Sequence, residues 1–303
     1  MDKVLTIALF LSFHLLLAQP KQLAEYFTQM RKQQSTNIPK EVLHADNAKS
    51  ILSELPVYLK DSVDQVRGRA IAIVRAIGIQ SKLASVRQQA IALLIEGIKD
   101  KNTGNAGVAI TYLTEFKQSN FIPGHKDSIR SIFRTKAFRS PQLIKLVGFF
   151  EMMELHSELL AMSHSRTEGK VERWSALLAL ARMGDDQAIS TIMNRLQRIP
   201  VSDDVVYQLF PDLVYTRARP VVNYLIEALN SDAKNCHTAI EDKDESIPCG
   251  YRIMEMIAPA IKDYPLKLDE SGDVMTTDYV QALQTVRAWL KENQEYGILR
   301  DKF

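Results

Sequence analysis

An internal repeat in the apolar spacing constrains the fold of this chain more than any other feature of its sequence. The segment VDQVRGRAIAIVRAIG begins at Val63, and the segment LASVRQQAIALLIEG begins at Leu83, twenty residues later. Apolar residues stand at positions 63, 66, 70, 73, 74 and 77 and recur at 83, 86, 90, 93 and 94, with Gly97 in the last position. Spacings of three and four mark one face of an α-helix. Because one such helix cannot bury its apolar face alone, we predict that successive helices stack on one another.

Residues 170–198 hold two apolar helix faces in succession. Gly184 follows the first face, where a glycine commonly ends a helix. Asp185 or Asp186 is then placed to cap the second helix. We predict a helical hairpin with these apolar residues: Val171, Trp174, Leu177, Leu178 and Ala181, then Ile189, Ile192, Met193 and Leu196.

The same pattern returns 34 residues further along, a separation typical of two-helix repeats. It runs over residues 202–232, with Ser202 or Asp203 as the predicted cap of its first helix. The apolar face of its second helix comprises Val222, Leu225, Ile226 and Leu229. We therefore expect a further helical hairpin here.

These segments resemble the HEAT repeat family, and more closely its bacterial form related to phycobilisome-lyase-type HEAT repeats. The segment VERWSALLALARMGDDQAISTIMNRL is similar to both helices of that repeat. The segments VRGRAIAIVRAIG and VRQQAIALLIEG are similar to the first helix, and RPVVNYLIEAL is similar to the second. The resemblance covers Asp61 to Asp232, with a weak stretch between Asn120 and Ser165.

The resemblance implies an all-α fold, an α-solenoid of the ARM/HEAT type in which antiparallel helix pairs form a superhelix. We expect the repeat array to occupy residues 19–232 and a C-terminal helical cap to occupy residues 233–303. The last part departs from the repeat and contains a turn-rich stretch, PLKLDESGDVMTTDY, with room for a short hairpin. A cap covers the end of such an array, and a separate functional domain is the alternative.

The first residues have the pattern of a secretory signal peptide. Lys3 precedes an uncharged apolar run from Val4 to Leu17, and Ala18 offers a small residue for cleavage. The run is shorter than the roughly 20 residues that a membrane-spanning helix needs. We predict a signal peptide at residues 1–18 and an exported protein, periplasmic or secreted. An uncleaved anchor or an apolar first helix is the alternative.

Cys236 and Cys249 lie 13 residues apart in a polar segment between two predicted helices. An exported compartment permits a disulfide between them. Closing a loop of this length stabilises a protein by about 3 kcal/mol in the chain-entropy treatment. Two alternatives stay open, a pair of free thiols and a zinc site that adds His237 but lacks a fourth ligand at a recognised spacing.

Lys126, Arg130 and Arg134 recur every four residues, so they share one face of a predicted helix, and Lys136 and Arg139 follow. A basic ridge of this kind can bind phosphate groups or an acidic polymer. A solvated outer face is the alternative. The whole chain has a formal net charge of only +2, so its overall charge indicates no nucleic-acid partner.

We find no motif of a serine hydrolase, zinc protease, phosphate-binding loop or dinucleotide-binding loop. The nearest candidates for metal ligands are His156, Glu158 and His164, whose two histidines lie about 12 Å apart along a helix axis. That separation is too long for one metal ion, so we expect ordinary surface histidines. We therefore predict a protein that is not an enzyme and holds neither a metal nor a cofactor.

Two acidic sets also lack a recognised metal-binding pattern. Asp269, Asp273 and Asp278 surround Gly272 but lack the closing glutamate of an EF-hand, so a simple turn is expected. A further set of carboxylates in a charged loop is expected to be solvated: Asp242 and Asp244.

Four large aromatic residues lie on or near apolar helix faces: Trp174, Trp289, Tyr224 and Tyr207. We expect them to pack in the core. Exposed aromatic side chains along an inner face would instead indicate a groove for a peptide.

The leading functional hypothesis is a non-catalytic scaffold that binds a protein or peptide through the concave surface of the helix array. We expect a monomer, no membrane-spanning segment in the mature chain and no nucleic-acid partner. Because phycobilisome-type HEAT proteins attach chromophores, the resemblance also implies an alternative, an enzyme accessory or a lyase-like or chaperone-like protein. A binder of an acidic polymer through the basic ridge is the second alternative.

Overall fold

A computed structural model describes residues 22–32, 37–135, 140–238, 245–269 and 271–303 of the chain. The predicted signal peptide, residues 1–18, lies outside these ranges. Within them, no helix combines the length and the apolar character that crossing a membrane requires.

The described residues are mostly α-helical, which confirms the predicted all-α fold class. Short 3₁₀ turns and one two-stranded antiparallel sheet complete the described structure, the sheet pairing β1 (Cys236–His237) with β2 (Ser246–Ile247). The α-helices are α1 (22–31), α2 (Ala48–Tyr58), α3 (Asp64–Gln80), α4 (Ala84–Gly97), α5 (Thr103–Leu113), α6 (Pro123–Thr135), α7 (Pro141–Phe149), α8 (His156–His164), α9 (Lys170–Arg182), α10 (Asp186–Leu196), α11 (Asp203–Gln208), α12 (Phe210–Thr216), α13 (Arg219–Asn230), α14 (Gly250–Ile257) and α15 (Tyr279–Glu292).

The chain divides into two compact units, Met1–Phe138 and Arg139–Phe303. The division falls in the stretch where the repeat pattern of the sequence is weak. It lies inside the predicted array of residues 19–232, so the two units do not coincide with the predicted array and cap. That division into array and cap stays a prediction.

In unit 1, the repeated segments form α3 and α4, which pack against each other. Most of the predicted apolar face is buried, including Val66 and Val74 in α3 and their matches Val86 and Leu94 in α4. The prediction is wrong for Val63 and Leu83, which are exposed. Both residues precede the first helical turn and have extended backbone, so they leave the face that the helix buries.

Unit 2 is built around α9, which packs against α7, α8, α10 and α12. Neighbours on several sides bury every residue from Ser175 to Arg182. Gly148 of α7 permits one of these contacts, because a Cβ at that position would lie 2.6 Å from Ala179 Cα. Two helix backbones therefore approach each other at a position where only a hydrogen fits.

The predicted hairpin over residues 170–198 is confirmed as α9 and α10. Gly184 has φ +88°, the left-handed conformation that glycine adopts at the end of a helix. Of the two candidate caps, Asp185 is the one that caps α10, since its Oδ1 accepts a hydrogen bond from Ala188 N at 2.7 Å. Val171 was expected on the buried face, but it is 59% exposed in the first turn of α9.

The next predicted hairpin differs in its first half, where two short helices, α11 and α12, replace one continuous helix. Pro211 stands in the first turn of α12, a position that suits proline because its missing N–H needs no partner there. Ser202 is the N-cap residue of α11, although its side chain makes no capping hydrogen bond. In α13, Val222, Leu225 and Leu229 are buried as expected, whereas Ile226 is half-buried.

The last residues of the chain lie against the helices of unit 2, held by arginine side chains that donate to main-chain oxygens. Arg182 donates to Arg300 O at 2.9 Å and to Lys302 O at 2.8 Å. Arg217 donates to Leu299 O at 2.9 Å and to Phe303 O at 3.1 Å. Residues 296–303, hereafter the C-terminal strap, therefore complete unit 2.

The ring of Phe303 fills the end of this arrangement, with its centroid 5.6 Å from that of Phe149 and 5.0 Å from that of Tyr215. Arg182 and Arg217 are buried beside these rings. Burial lowers the pKa of Arg182 to about 10 and that of Arg217 to about 9. Both groups stay cationic at neutral pH, and main-chain oxygens of the C-terminal strap solvate them in place of water.

Candidate functional site

The hairpin of α9 and α10, together with the end of α8, encloses a cavity of about 310 Å³. Basic side chains, one tryptophan and small polar groups form its walls. The lining residues are Ser163, His164, Lys170, Arg173, Trp174, Leu177, Thr191 and Arg195. We call this cavity the α9 pocket.

Helical spacing explains why these residues meet. Lys170, Arg173, Trp174 and Leu177 follow one another at intervals of three, one and three, so they share one face of α9. On α10, Thr191 and Arg195 lie four residues apart and face the same cavity. The polar face of one helix is thus directed at the polar face of the next.

Trp174 was expected in the core, but its side chain is half-buried and lines the α9 pocket. The indole Nε1 donates to Asp212 Oδ2 at 2.7 Å, and Asp212 also forms an ion pair with Lys145. The guanidinium carbon of Arg195 lies 5.6 Å from the centre of the Trp174 ring, within reach of a cation–π contact. A polar partner therefore fixes the indole as one wall of the pocket.

The pocket has a surplus of positive charge. Among the described residues, Lys170, Arg173 and Arg195 take part in no ion pair, and no acidic side chain lines the pocket. Arg173 donates instead to two main-chain oxygens, Glu168 O at 2.6 Å and Ser165 O at 3.4 Å. The charge of each of the three side chains is thus available to a ligand.

The predicted basic ridge lies on α6, where Lys126 and Arg130 are half-buried and Arg134 is exposed. The neighbouring face of α6 is buried through His125, Ile129 and Phe133. Arg130 forms an ion pair with Asp127, three residues earlier on the same helix. The structure thus places the ridge on one helix face, and its role as a binding site stays a prediction.

The two further basic residues predicted next to this ridge, Lys136 and Arg139, fall outside the described residues.

Cys236 and Cys249 form a disulfide with their Cα atoms 5.1 Å apart, as predicted. The zinc alternative is wrong, because both sulfur atoms are bonded to each other and cannot serve as thiolate ligands. His237 instead contacts Asp203, whose Oδ2 accepts from His237 N at 2.7 Å and lies 3.0 Å from the ring Nδ1. Asp203 thereby links the disulfide loop to α11.

The histidines considered as metal ligands have separate partners. His156 Nε2 lies 2.7 Å from Asp185 Oδ2, so His156 supports the residue that caps α10. His164 Nδ1 lies 3.0 Å from Leu160 O and from Ser163 Oγ. Glu158 stands in the first turn of α8. In the described part of the chain, no group of three or more His, Cys, Asp or Glu side chains is arranged to hold a metal ion.

The acidic stretch near the C-terminus forms the expected turn. Asp269 Oδ1 accepts the backbone N–H groups of Ser271, Gly272 and Asp273 at 2.8 to 2.9 Å. A backbone bridge between Leu268 and Val274 closes this short hairpin. A further acidic residue of this set, Asp278, caps α15.

Asp242 and Asp244, the carboxylates expected to be solvated in the charged loop, lie outside the described residues.

The other aromatic residues also depart from the expected core positions. Tyr207 is 55% exposed, and the guanidinium carbon of Arg252 lies 4.4 Å from its ring centre. Trp289 and Tyr224 are half-buried.

Sequence reasoning missed Lys170, Arg173 and Arg195 as site residues. The sequence does show the spacing of Lys170 and Arg173 relative to Trp174, since these three residues fall on one face of α9. The sequence could not show that Thr191 and Arg195 of α10 line the same pocket, because this depends on how the two helices of the hairpin are rotated against each other.

Residues 172–198 match the family model of the PBS lyase HEAT-like repeat. No curated protein and no solved structure matches the chain. The matched range covers α9 from its third residue and the whole of α10, and it includes five residues of the α9 pocket, Arg173, Trp174, Leu177, Thr191 and Arg195. The α9–α10 hairpin is therefore a HEAT-like repeat, which confirms the resemblance of this chain to the HEAT repeat family.

Proposed function

We propose that this protein is an exported, non-catalytic scaffold that binds a partner protein through the surface of its HEAT-like hairpins. The observation that carries the proposal is the α9–α10 hairpin itself. It matches a HEAT-like repeat, and it keeps Val171, a large apolar side chain, 59% exposed in the first turn of α9. In repeat arrays, the concave surface formed by successive hairpins binds partners through many small contacts.

The export part of the proposal rests on the predicted signal peptide and on the disulfide of Cys236 and Cys249. Disulfides persist in oxidising compartments, whereas cytosolic thiols are kept reduced. A test compares the N-terminal residue of the mature protein with the predicted cleavage after Ala18. A mature protein that begins at Gln19 and resists thiol alkylation supports export, and an unprocessed protein with two reactive thiols contradicts it.

Binding of a partner can be tested by affinity capture from the envelope fraction of the source cells, with the mature oxidised protein as bait. We expect one protein to be retained in a fixed ratio to the bait. The Val171→Glu variant should lose this protein, because a carboxylate placed in an apolar contact must be desolvated without a partner.

Val57→Glu is the matched control for this experiment. Val57 lies in α2 of unit 1 and is 66% exposed, so the same chemical change is made at a similarly accessible valine elsewhere. Retention by Val57→Glu and loss by Val171→Glu assign the contact to the hairpin. Capture of no protein in a fixed ratio, or equal retention by both variants, argues against binding at this surface.

A second candidate function, binding of an acidic polymer, is favoured by the placement of Lys126, Arg130 and Arg134 on one face of α6. A polyanion that contacts the ridge would release counterions, so retention should fall steeply with salt. Elution from a heparin column should then shift to lower salt in the Arg130→Glu, Arg134→Glu variant. Unchanged elution removes the ridge as a site.

The alternative of an enzyme accessory or a lyase-like or chaperone-like protein is supported by the same repeat match. It predicts no role for a particular residue of the α9 pocket.

A further inference from the structure

We propose that the α9 pocket binds a small ligand that carries an oxyanion, a carboxylate or a phosphate, on a planar apolar body. The proposal goes beyond the scaffold function, because it concerns a small molecule and does not depend on a protein partner. It rests on the charge of the pocket, on the donors available there and on the fixed position of Trp174.

The charge of the pocket selects the sign of the ligand. Lys170, Arg173 and Arg195 supply three cationic groups, and among the described residues none of them is in an ion pair. The carboxylate of Asp212, which accepts the Trp174 N–H, forms an ion pair with Lys145. An anion therefore enters a region of uncompensated positive charge without displacing an existing counterion.

The hydrogen-bond donors of the pocket select an oxyanion rather than a neutral polar group. Ser163 Oγ donates to Leu160 O at 2.8 Å, and Thr191 Oγ1 donates to Gln187 O at 2.8 Å. The protons of both hydroxyl groups are thus used within their own helices. The donors left for a ligand are ammonium and guanidinium groups, which form short, charge-assisted hydrogen bonds with carboxylate or phosphate oxygens.

The three cations differ in how they would act. Arg173 is held in place by its hydrogen bonds to Glu168 O and Ser165 O, so it provides a fixed charge at one side of the cavity. The side chains of Lys170 and Arg195 are exposed, which leaves them able to rotate onto an oxyanion. We expect Lys170 and Arg195 to make the direct contacts.

The size and walls of the pocket select the body of the ligand. A cavity of about 310 Å³ stands at the lower end of the range of roughly 300–1,000 Å³ that holds small molecules. Leu177 and the indole of Trp174 provide the apolar surface. Since the hydrogen bond to Asp212 fixes the indole, a planar group can stack on it without reordering the Trp174 side chain, once the Arg195 guanidinium, 5.6 Å from the ring centre, turns to the oxyanion.

Phenyl phosphate is a suitable probe, with benzyl alcohol as the uncharged analogue and inorganic phosphate as the anion without a ring. The chain contains only two tryptophans, so Trp289→Phe leaves Trp174 as the sole indole reporter. We expect phenyl phosphate to change the Trp174 fluorescence in a saturable way, and to bind at least about tenfold more tightly than either analogue. Isothermal titration of the unmodified protein checks that Trp289→Phe has not altered the site.

The Lys170→Ala and Arg195→Ala variants should each weaken phenyl phosphate binding by about tenfold, the size expected for one charge-assisted hydrogen bond. Arg198→Ala is the matched control, because Arg198 is exposed, follows α10 and does not line the pocket. The substituted side chains of all three variants are exposed, and circular dichroism verifies their folding.

The absence of saturable binding, or an equal effect of Arg195→Ala and Arg198→Ala, overturns the proposal. Equal affinity for inorganic phosphate and phenyl phosphate overturns the assignment of a planar body.

Discussion

Arg67 and Asp100 form a buried, two-point ion pair in unit 1. Arg67 Nε lies 2.8 Å from Asp100 Oδ2, and Arg67 Nη2 lies 2.9 Å from Asp100 Oδ1. The two side chains are 4% and 2% exposed, and Asp100 also accepts hydrogen bonds from Asn102 N and Asn105 Nδ2. Burial by itself raises the pKa of Asp100, but the hydrogen bonds from Arg67, Asn102 and Asn105 outweigh it and lower the pKa. The pair ties the start of α3 to the turn between α4 and α5.

Removing Asp100 should therefore destabilise unit 1 strongly. Asp100→Ala leaves the buried Arg67 guanidinium without its main counterion, a change that typically costs about 3–5 kcal/mol. Urea denaturation measures this loss. Asp64→Ala is the control, because Asp64 also pairs with Arg67 but is exposed, and its loss should be smaller. Equal losses in the two variants would show that burial of the pair does not matter.

Gly148 and Gly107 should respond to alanine with opposite signs. A Cβ at Gly148 would meet Ala179 Cα at 2.6 Å, so Gly148→Ala must push α7 and α9 apart, at a cost of about 1–3 kcal/mol. At Gly107 in α5 no atom lies within 4 Å of the new Cβ beyond its chain neighbours and the backbone of its own helix. Gly107→Ala should then stabilise the helix by up to about 1 kcal/mol. Thermal unfolding of both variants checks the signs, and a stabilised Gly148→Ala protein would refute the close approach.

The C-terminal strap should contribute to the stability of unit 2 through its last ring. Phe303→Ala removes the contacts with Phe149 and Tyr215, and since Phe303 is half-buried we expect a loss of about 1–2 kcal/mol. Hydrogen exchange of residues 296–303 should accelerate in this variant. Phe303→Leu keeps an apolar group in the same place and should retain much of the protection. Unchanged exchange in Phe303→Ala would mean that the arginine contacts alone hold the strap.

The stability of unit 1 should fall between pH 7.5 and pH 5.5 because of His125. Burial lowers the pKa of His125 below its usual value of 6.5, and the neutral ring Nδ1 accepts the Ile122 N–H at 3.4 Å. In the unfolded chain the ring takes up a proton near its usual pKa. The unfolded state thus binds more protons as the pH falls, so the free energy of unfolding decreases.

His125→Gln tests this pH dependence, because an amide keeps an acceptor near Ile122 but does not titrate in this range. Thermal unfolding of the wild-type protein and the variant at pH 7.5 and pH 5.5 gives two shifts in Tm. We expect the larger shift in the wild-type protein. Equal shifts would assign the pH dependence to other groups.

The disulfide should stabilise the protein by constraining the unfolded chain. For a sequence separation of 13 residues, the loss on replacing Cys236 and Cys249 by serine should be about 3 kcal/mol. Urea denaturation of the double variant measures the loss, and the wild-type protein under reducing conditions should match it. Wild-type protein that is equally stable when oxidised and reduced would contradict the expected contribution.

The repeated apolar faces were readable from the sequence, because helical periodicity is a local property. They predicted α3, α4, α9 and α10, together with the turn at Gly184 and a cap at Asp185 or Asp186, of which Asp185 is the cap in the structure. The disulfide could also be predicted, since two cysteines in a predicted exported chain allow only one intramolecular pairing. The residues at helix starts, Val63, Leu83 and Val171, were misplaced because the periodicity does not say where the first helical turn begins.

Contacts between distant parts of the chain could not be read in this way. Arg67 and Arg87 occupy equivalent repeat positions, yet Arg67 pairs with Asp100 while Arg87 donates to Ser81 O at 2.9 Å. Likewise, Trp174 was assigned to the core, and only the position of Asp212 on α12 shows that its indole forms a pocket wall.

The sequence alone therefore established the all-α class, the individual amphipathic helices and the cysteine pair. The α9 pocket, the buried arginines that hold the C-terminal strap and the division into two units emerged only from the tertiary structure. The physical reason is that periodicity records which face of a helix avoids water, but not which neighbour covers that face. Electrostatic and hydrogen-bonded contacts depend on that choice of neighbour, because their partners come from separate helices.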